Sequence, residues 1–221
     1  MLIRVNTASR RPIDGPMAAV AGPRALCSEF KYRRGSEIFG EGEHAEYIYQ
    51  ISYGAVRTYK LLADGRRQIN SFHLPGDMFG FENSETHRFT AEAIVETHVR
   101  IMKRCNLLEA MPSEAAGSKK LIGFVTENLQ HAENHMLLLG RKTSLEKVAA
   151  FLLEMDGRLA HPDVMTLPMS RRDIADYLGL TLETVSRALS ILRDDKILRF
   201  HGTTQREVEM LDREKLAKLD A

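Results

Sequence analysis

Gly179 is the residue that most constrains how this chain can fold. A glycine inside a helix costs about 1 kcal/mol, but in the left-handed conformation it ends a helix without strain. Ahead of it, the segment Ser170–Leu178 puts Ile174, Ala175 and Leu178 on one side and Arg171, Arg172 and Asp173 on the other, the split of a helix with one packed face. Two residues beyond it, Thr181 offers an N-cap hydroxyl, and Val185, Ala188, Leu189 and Leu192 then recur at helical spacing. The stretch Ser170 to Lys196 therefore predicts a helix-turn-helix, in which small Ala175 lets the two helices approach closely.

The second helix leaves Leu182, Glu183, Ser186, Arg187 and Ser190 facing outward. Arg187 can donate two hydrogen bonds to guanine O6 and N7, Glu183 can accept from a cytosine amine, and Leu182 can press on a thymine methyl. Glu183 and Arg187 are four apart, on one face and in the N-terminal half that a recognition helix aims at base edges. Leu182, Glu183, Ser186 and Arg187 are thus the candidate base readers, and Arg171, Arg172, Thr181, Thr184 and Ser190 the candidate phosphate contacts. The bland alternative is an ordinary exposed Glu183–Arg187 helix pair, worth a few tenths of a kcal/mol.

Bulk charge would not drive such binding. The 221-residue chain has a formal net charge of +1, and residues 141–221 hold 14 Lys and Arg against 14 Asp and Glu. Affinity for DNA must come from local placement, here from Arg171, Arg172, Arg187, Arg193, Lys196 and Arg199 around the two helices. An apolar content of 43% permits a sizeable core. MLIRVNTASRRPIDGP has no apolar signal region, and no run approaches eighteen apolar residues, so a cytoplasmic protein without a membrane span is expected. Cys27 and Cys105 lie far apart, with neither a disulfide framework nor a CxxC metal signature.

Taken in order, residues 1–28 read as a lead-in without steady periodicity. Residues 29–111 change to short alternating runs divided by Gly35, Gly40, Gly42, Gly54, Gly65, Gly76 and Gly80, with Asp64–Gly65 as a hairpin signal: an antiparallel β-roll. Residues 112–140 turn helical, and Ile122, Val125, Leu129, Ala132, Met136 and Leu139 are spaced 3, 4, 3, 4 and 3, a seam that fits one partner helix in a homodimer. Phe124 and Leu121 can supply a second contact to the roll, so the helix can serve both. Gly140–Thr143 reads as a hinge, after which Ser144 caps a new helix carrying Leu145, Val148, Ala149, Leu152 and Leu153. Past the recognition helix, KILRFHGTTQREVEML predicts two strands around Gly202–Thr203, and Asp212 caps a last helix, so residues 141–221 form a winged helix.

This order, with GDMFGFE, RKTSLEKVAAFL and LPMSRRDIADYLGLTLETVSRALSIL, resembles the CRP/FNR family and within it the FixK branch. The likeness runs from about Phe30 to the end. It implies an α+β architecture: a cyclic-nucleotide-binding-like jelly roll, a long dimerisation helix and a C-terminal winged helix-turn-helix. It also implies a homodimeric transcription activator that binds a palindrome of TTGA-type half-sites in double-stranded DNA and recruits RNA polymerase, for microaerobic, nitrogen-fixation or denitrification genes. Glu183, Ser186 and Arg187 fall on the family's base-reading positions. Leu182 stands where the cyclic-AMP regulator has an arginine, and the loop Gly157–Asp163 falls where relatives touch the polymerase.

The departures concern the signal. Cyclic-nucleotide sensors of the family hold the phosphate with Arg followed by Ser or Thr; in GFENSETHRFTAEA, Glu82 comes one place late and Phe89 follows Arg88. An iron–sulfur cluster usually needs four thiolates, and this chain has two cysteines. His73, His44 or His87 can be proposed as haem ligands, but a lone histidine in a roll is more often a surface or core residue. The expectation is a regulator with no cofactor, no metal and no catalytic residue. A cyclic-nucleotide-gated regulator and a cupin-type enzyme are the alternatives; the second lacks its HxH signature.

Overall fold

The computed structural model describes residues 3–4, 11–12, 17–18, 26–105 and 115–220. The lead-in and the boundary at Met111–Pro112 lie largely outside the described residues. By its internal contacts the chain forms two compact units, Met1–Leu129 and Gln130–Ala221.

The first unit is the expected roll. One antiparallel sheet has the order β1 (Ile3–Arg4), β3 (Leu26–Tyr32), β10 (Thr97–Lys103), β5 (Tyr47–Tyr53), β8 (Met78–Phe79), with β2 (Arg11–Pro12) also on β3. The other has the order β4 (Glu37–Phe39), β9 (Thr90–Ala93), β6 (Val56–Leu61), β7 (Arg67–His73). Their inner faces meet in a shared core: Tyr49, Ile51, Phe79 and Val99 from the first sheet, Phe39, Val56 and Ala91 from the second. The alternation in β6 does what period-two patterning requires, burying Val56 and Thr58 while Arg57 and Tyr59 are half-buried. Gly65 closes the β6–β7 hairpin at φ 82°, its N–H donating to Leu62 O.

Helix α1 (Ala115–Leu139) follows. In this unit Phe124 packs on Phe81, ring centroids 4.9 Å apart, so the helix does make a contact with its own roll. The side chain of Leu121 lies outside the described residues.

In the second unit α2 (Ser144–Arg158) is opened by Thr143, whose side chain accepts from Glu146 N while Glu146 accepts from Thr143 N. This corrects the reading of Ser144 as the cap: Ser144 is the first helical residue, and the reciprocal capping box is available only to the threonine one step earlier. Helices α3 (Arg171–Leu178) and α4 (Leu182–Asp194) come next, with α5 (Arg213–Asp220) last. The wing is a three-stranded sheet in the order β11 (Val164–Thr166), β13 (Glu207–Met210), β12 (Leu198–His201). Strand β11 was not expected, because three residues buried only at Met165 carry no periodic signal. Lys147, largely buried, donates from Nζ to Leu139 O at 3.2 Å and so finishes the end of α1 from α2. The end of α1 belongs to this compact unit.

Gly54 has φ 93°, and a Cβ there would stand 2.5 Å from Glu96 O, whereas Gly65 has φ 82° and nothing within 4 Å. Gly54→Ala is expected to cost about 3 kcal/mol, strain plus clash, and Gly65→Ala about 1 kcal/mol, strain alone. Urea unfolding of the two variants checks the difference.

Candidate nucleic-acid interface

The helix-turn-helix is built from caps inward. Ser170 Oγ accepts from Asp173 N at 3.2 Å while Asp173 Oδ2 accepts from Ser170 N at 2.9 Å, a box that fixes where α3 begins. Asp173 is therefore buried, a correction to its expected outward position: the first turn folds its carboxylate back onto the cap. The helix ends on Gly179 at φ 63° and ψ 36°, the left-handed cap. Thr181 then opens α4 by accepting from Thr184 N at 3.2 Å. Ile174, Ala175 and Leu178 are buried in α3, and Val185, Ala188, Leu189 and Leu192 in α4.

What remains is the front of α4. Glu183 and Arg187 are exposed; Leu182, Thr184, Ser186 and Ser190 are half-buried. The Glu183 carboxyl is held below its usual range by its own backbone N–H and Thr181 at the helix start, and then by the fields of Arg172 and Arg187. Among the described residues no ion pair joins Glu183 to Arg187, so the front is not closed by the bland surface pair. Ser190 Oγ is turned inward, donating to Ser186 O at 3.0 Å, and the Thr181 and Thr184 hydroxyls lie 3.0 Å apart.

The basic stripe is thinner than the sequence suggests. Arg193 pairs with Asp194 at 2.8 Å and Arg199 with Glu209 at 3.1 Å. Arg171 is half-buried, its Nη2 bonded to Gln205 Oε1 and its guanidinium 5.3 Å from the Phe200 ring centroid. Arg172, Arg187 and Lys196 stay exposed.

Along α1, Ile122, Val125, Leu129, Ala132 and Met136 are exposed, Met136 at 67%. Leu139 is half-buried, its Cδ2 3.6 Å from where a Cβ on Gly179 would stand. Next to the seam the sequence reading missed a polar junction. His131 Nε2 lies 2.9 Å from Glu154 Oε1, Tyr177 OH donates to Glu154 Oε2 at 3.3 Å, and His135 stacks on Tyr177 with centroids 4.1 Å apart. The i,i+4 spacing of His131 and His135, one step off the seam, was the available signal.

In the roll, Arg88 Nε donates to Glu82 Oε2 at 3.0 Å and its N–H to Glu82 Oε1 at 3.2 Å, and the Arg88 side chain is 66% exposed. The cation on this strip is thus bonded to a carboxylate and exposed. His87 is buried and stacked on Phe39 at 3.6 Å, His73 stacks on Phe79 at 5.0 Å, and His44 is exposed and bridges to Thr86; each serves the roll's own packing or pairing.

The loop Gly157–Asp163 is held by a buried carboxylate. Asp156, its side chain 2% exposed, accepts from Arg213 Nε at 2.9 Å and Nη2 at 3.0 Å and lies 2.7 Å from His161 Nδ1. Ala160 and His161 have φ 61° and 54°, a strained pair for non-glycine residues.

Residues 146–219 match the model of the Crp-like helix-turn-helix domain, and residues 29–114 that of the cyclic nucleotide-binding domain. The nitrogen fixation regulation protein FixK of Rhizobium meliloti (strain 1021) is 42% identical over 93% of this chain and 91% of its own. FixK of Azorhizobium caulinodans is 43% identical, covering 89% and 81%. The structure of FixK2 from Bradyrhizobium japonicum aligns at a TM-score of 0.84 with 57% identity, covering 89% of this chain and 98% of that one. A capped helix-turn-helix with an open front, followed by a wing, defines a winged-helix DNA-binding regulator rather than an enzyme. The chain belongs to the CRP/FNR family, as a FixK-like transcription activator.

Arg213, bonded to Asp156, holds its carboxyl below the usual range, with His161 adding to the effect. A carboxyl depressed by folding contributes stability above its unfolded value, about 3.9, and loses it as pH falls through the folded value. Asp156→Asn is expected to cost about 2 kcal/mol at pH 7, since Arg213 is partly exposed, and the gap to the parent should narrow as pH falls below the unfolded value, about 3.9. Urea unfolding across pH measures it.

Proposed function

We propose that the protein acts in the cytoplasm as a homodimer on an inverted repeat of TTGA-type half-sites and there recruits RNA polymerase to microaerobic, nitrogen-fixation or denitrification promoters. The observation that carries this reading is the solvent-facing front of α4: Glu183 and Arg187 exposed and not ion-paired to each other, with Leu182 and Ser186 beside them. These four read bases; Arg172, Thr181 and Thr184 face the phosphate backbone, whereas the Arg171 head is engaged by Gln205 and Phe200 and the Ser190 hydroxyl by Ser186 O. Among the described residues no helix is long and apolar enough to cross a membrane.

The partner copy lies along Ile122, Val125, Leu129, Ala132 and Met136, with Leu139 at the margin. Large apolar side chains left this exposed along one helical stripe fit a second identical helix, and a helix-turn-helix uses a twin to cover two half-sites one DNA turn apart. The division into a lead-in, a roll at residues 29–111, a dimerisation helix at 112–140 and a winged helix at 141–221 is part of the same reading. The loop Gly157–Asp163 is the surface offered to the polymerase.

Activity is set without iron–sulfur cluster or cyclic nucleotide. Two cysteines, one buried and one exposed, fall short of the usual four thiolates, and Arg88 is engaged by Glu82. The match of residues 29–114 to the cyclic nucleotide-binding domain favours a second reading, a cyclic-nucleotide-gated regulator. Heat released on titration with cyclic AMP or cyclic GMP would establish that reading instead. Stoichiometric iron in anaerobically purified protein would overturn both.

Arg187→Ala should cost about 1–3 kcal/mol per half-site and relax selection at the guanine, while Arg172→Ala should weaken every sequence and reduce the salt slope by about 1 per subunit. Fluorescence anisotropy on matched and mismatched repeats separates the two, and identical behaviour would mean the roles are misassigned. Ile122→Asp combined with Leu129→Asp should sediment as a monomer, because two carboxylates would be buried unpaired at the seam; an unchanged dimer would put the interface elsewhere.

A further inference from the structure

Arg171 sits at the start of α3, where an arginine bound for a phosphate would keep its head in solvent. Its head is instead engaged by the wing: Nη2 donates to Gln205 Oε1, and the guanidinium lies over the Phe200 ring at 5.3 Å, within cation–π range. Burial, and then the field of Arg193, holds its charge below its usual stability.

Two observations bear on this contact. Gln205 stands at φ 53°, a left-handed backbone region unfavourable for a side-chain-bearing residue, and Arg171 bonds the side chain of that strained residue. The same turn borders an open cleft of about 190 Å³ whose lining includes Arg171, Gln205, Thr204, Phe200, Ile174 and Val208. Arg171 and Gln205 meet on the lining of this cleft, so a side-chain contact as well as the packed core beside it holds the turn.

We infer that Arg171 acts on DNA through the wing, as the post that sets the turn Gly202–Gln205 and so delivers exposed Thr203 and Thr204 to the phosphates beside the recognition helix. The inference rests on the DNA-binding reading above and refines it: Arg171 is a positioning residue, and Arg172 is the direct phosphate cation. Lysine keeps the charge of Arg171 but loses the planar stack and the fork, so charge and position can be separated.

The test is anisotropy of the full-length protein on a TTGA-type inverted repeat at several salt concentrations, with thermal melts as a folding control. Arg171→Lys is expected to bind about tenfold more weakly, as Arg171→Ala does, while Arg172→Lys stays near the parent. Phe200→Leu and Gln205→Asn should each weaken binding about three- to tenfold with an unchanged salt slope, since neither removes a cation. Gln205 is exposed and asparagine tolerates left-handed backbone, so that variant keeps the test open if Phe200→Leu melts early. Parent-like binding by Arg171→Lys, or by both Phe200→Leu and Gln205→Asn, overturns the inference while leaving the DNA reading intact. Failure of the parent protein itself to bind the repeat at low salt sinks the DNA reading and this inference with it.

Discussion

The DNA-facing half depends on how two short helices are fixed across one left-handed turn. Neither α3, eight residues long, nor α4, thirteen, would be stable alone in water. They exist because Gly179 turns the chain so that Ile174, Ala175 and Leu178 meet Val185, Ala188, Leu189 and Leu192. Each N-terminus is closed by a side chain, Ser170 with Asp173 in one case and Thr181 in the other. A cap is worth about 1 kcal/mol, less than the buried apolar face contributes. What the caps decide is register: they set which residue begins each helix and hence which side chains stand at the front of α4.

Charge in this half is arranged by pairing rather than by excess. Arg193, Arg199 and Arg213 each sit against a carboxylate, and residues 141–221 taken together have no net formal charge. The exposed Arg172 and Arg187 stand out because their neighbours are neutralised, a local field on a quiet background. The Glu183 carboxyl, held ionised at the helix start, is part of the same field. Such an arrangement suits sequence selection, in which phosphate attraction common to all DNA must not swamp the discrimination made at base edges.

Helix α1 carries two different faces at nearly the same positions. Leu129, Ala132 and Met136 are exposed, while His131 and His135, one step back, reach Glu154 and Tyr177 within the second unit. Tyr177 is fully buried and lies two residues before the Gly179 turn. The helix end is thus tied to the recognition motif by a stacked pair and a shared carboxylate, and to α2 by the Lys147 ammonium on Leu139 O, contacts that make its last turns part of the second unit.

Much of this was legible in the residues themselves. Period-two runs between glycines gave the roll, 3–4 spacing gave α1, and the glycine, the threonine cap and the apolar positions around them gave the helix-turn-helix, since all of these follow from local geometry. What the sequence left undetermined were pairings between residues far apart in the chain. Arg171 reads as a surface cation until the fold brings Phe200 and Gln205 to it, Asp173 reads as outward until its turn closes on Ser170, and β11 has too few residues to announce itself. Leu139 fits the seam's period and yet packs in its own unit beside Gly179. Side-chain periodicity determines which face of an element is apolar; only the tertiary structure decides what that face meets, because the choice depends on neighbours that no local spacing encodes.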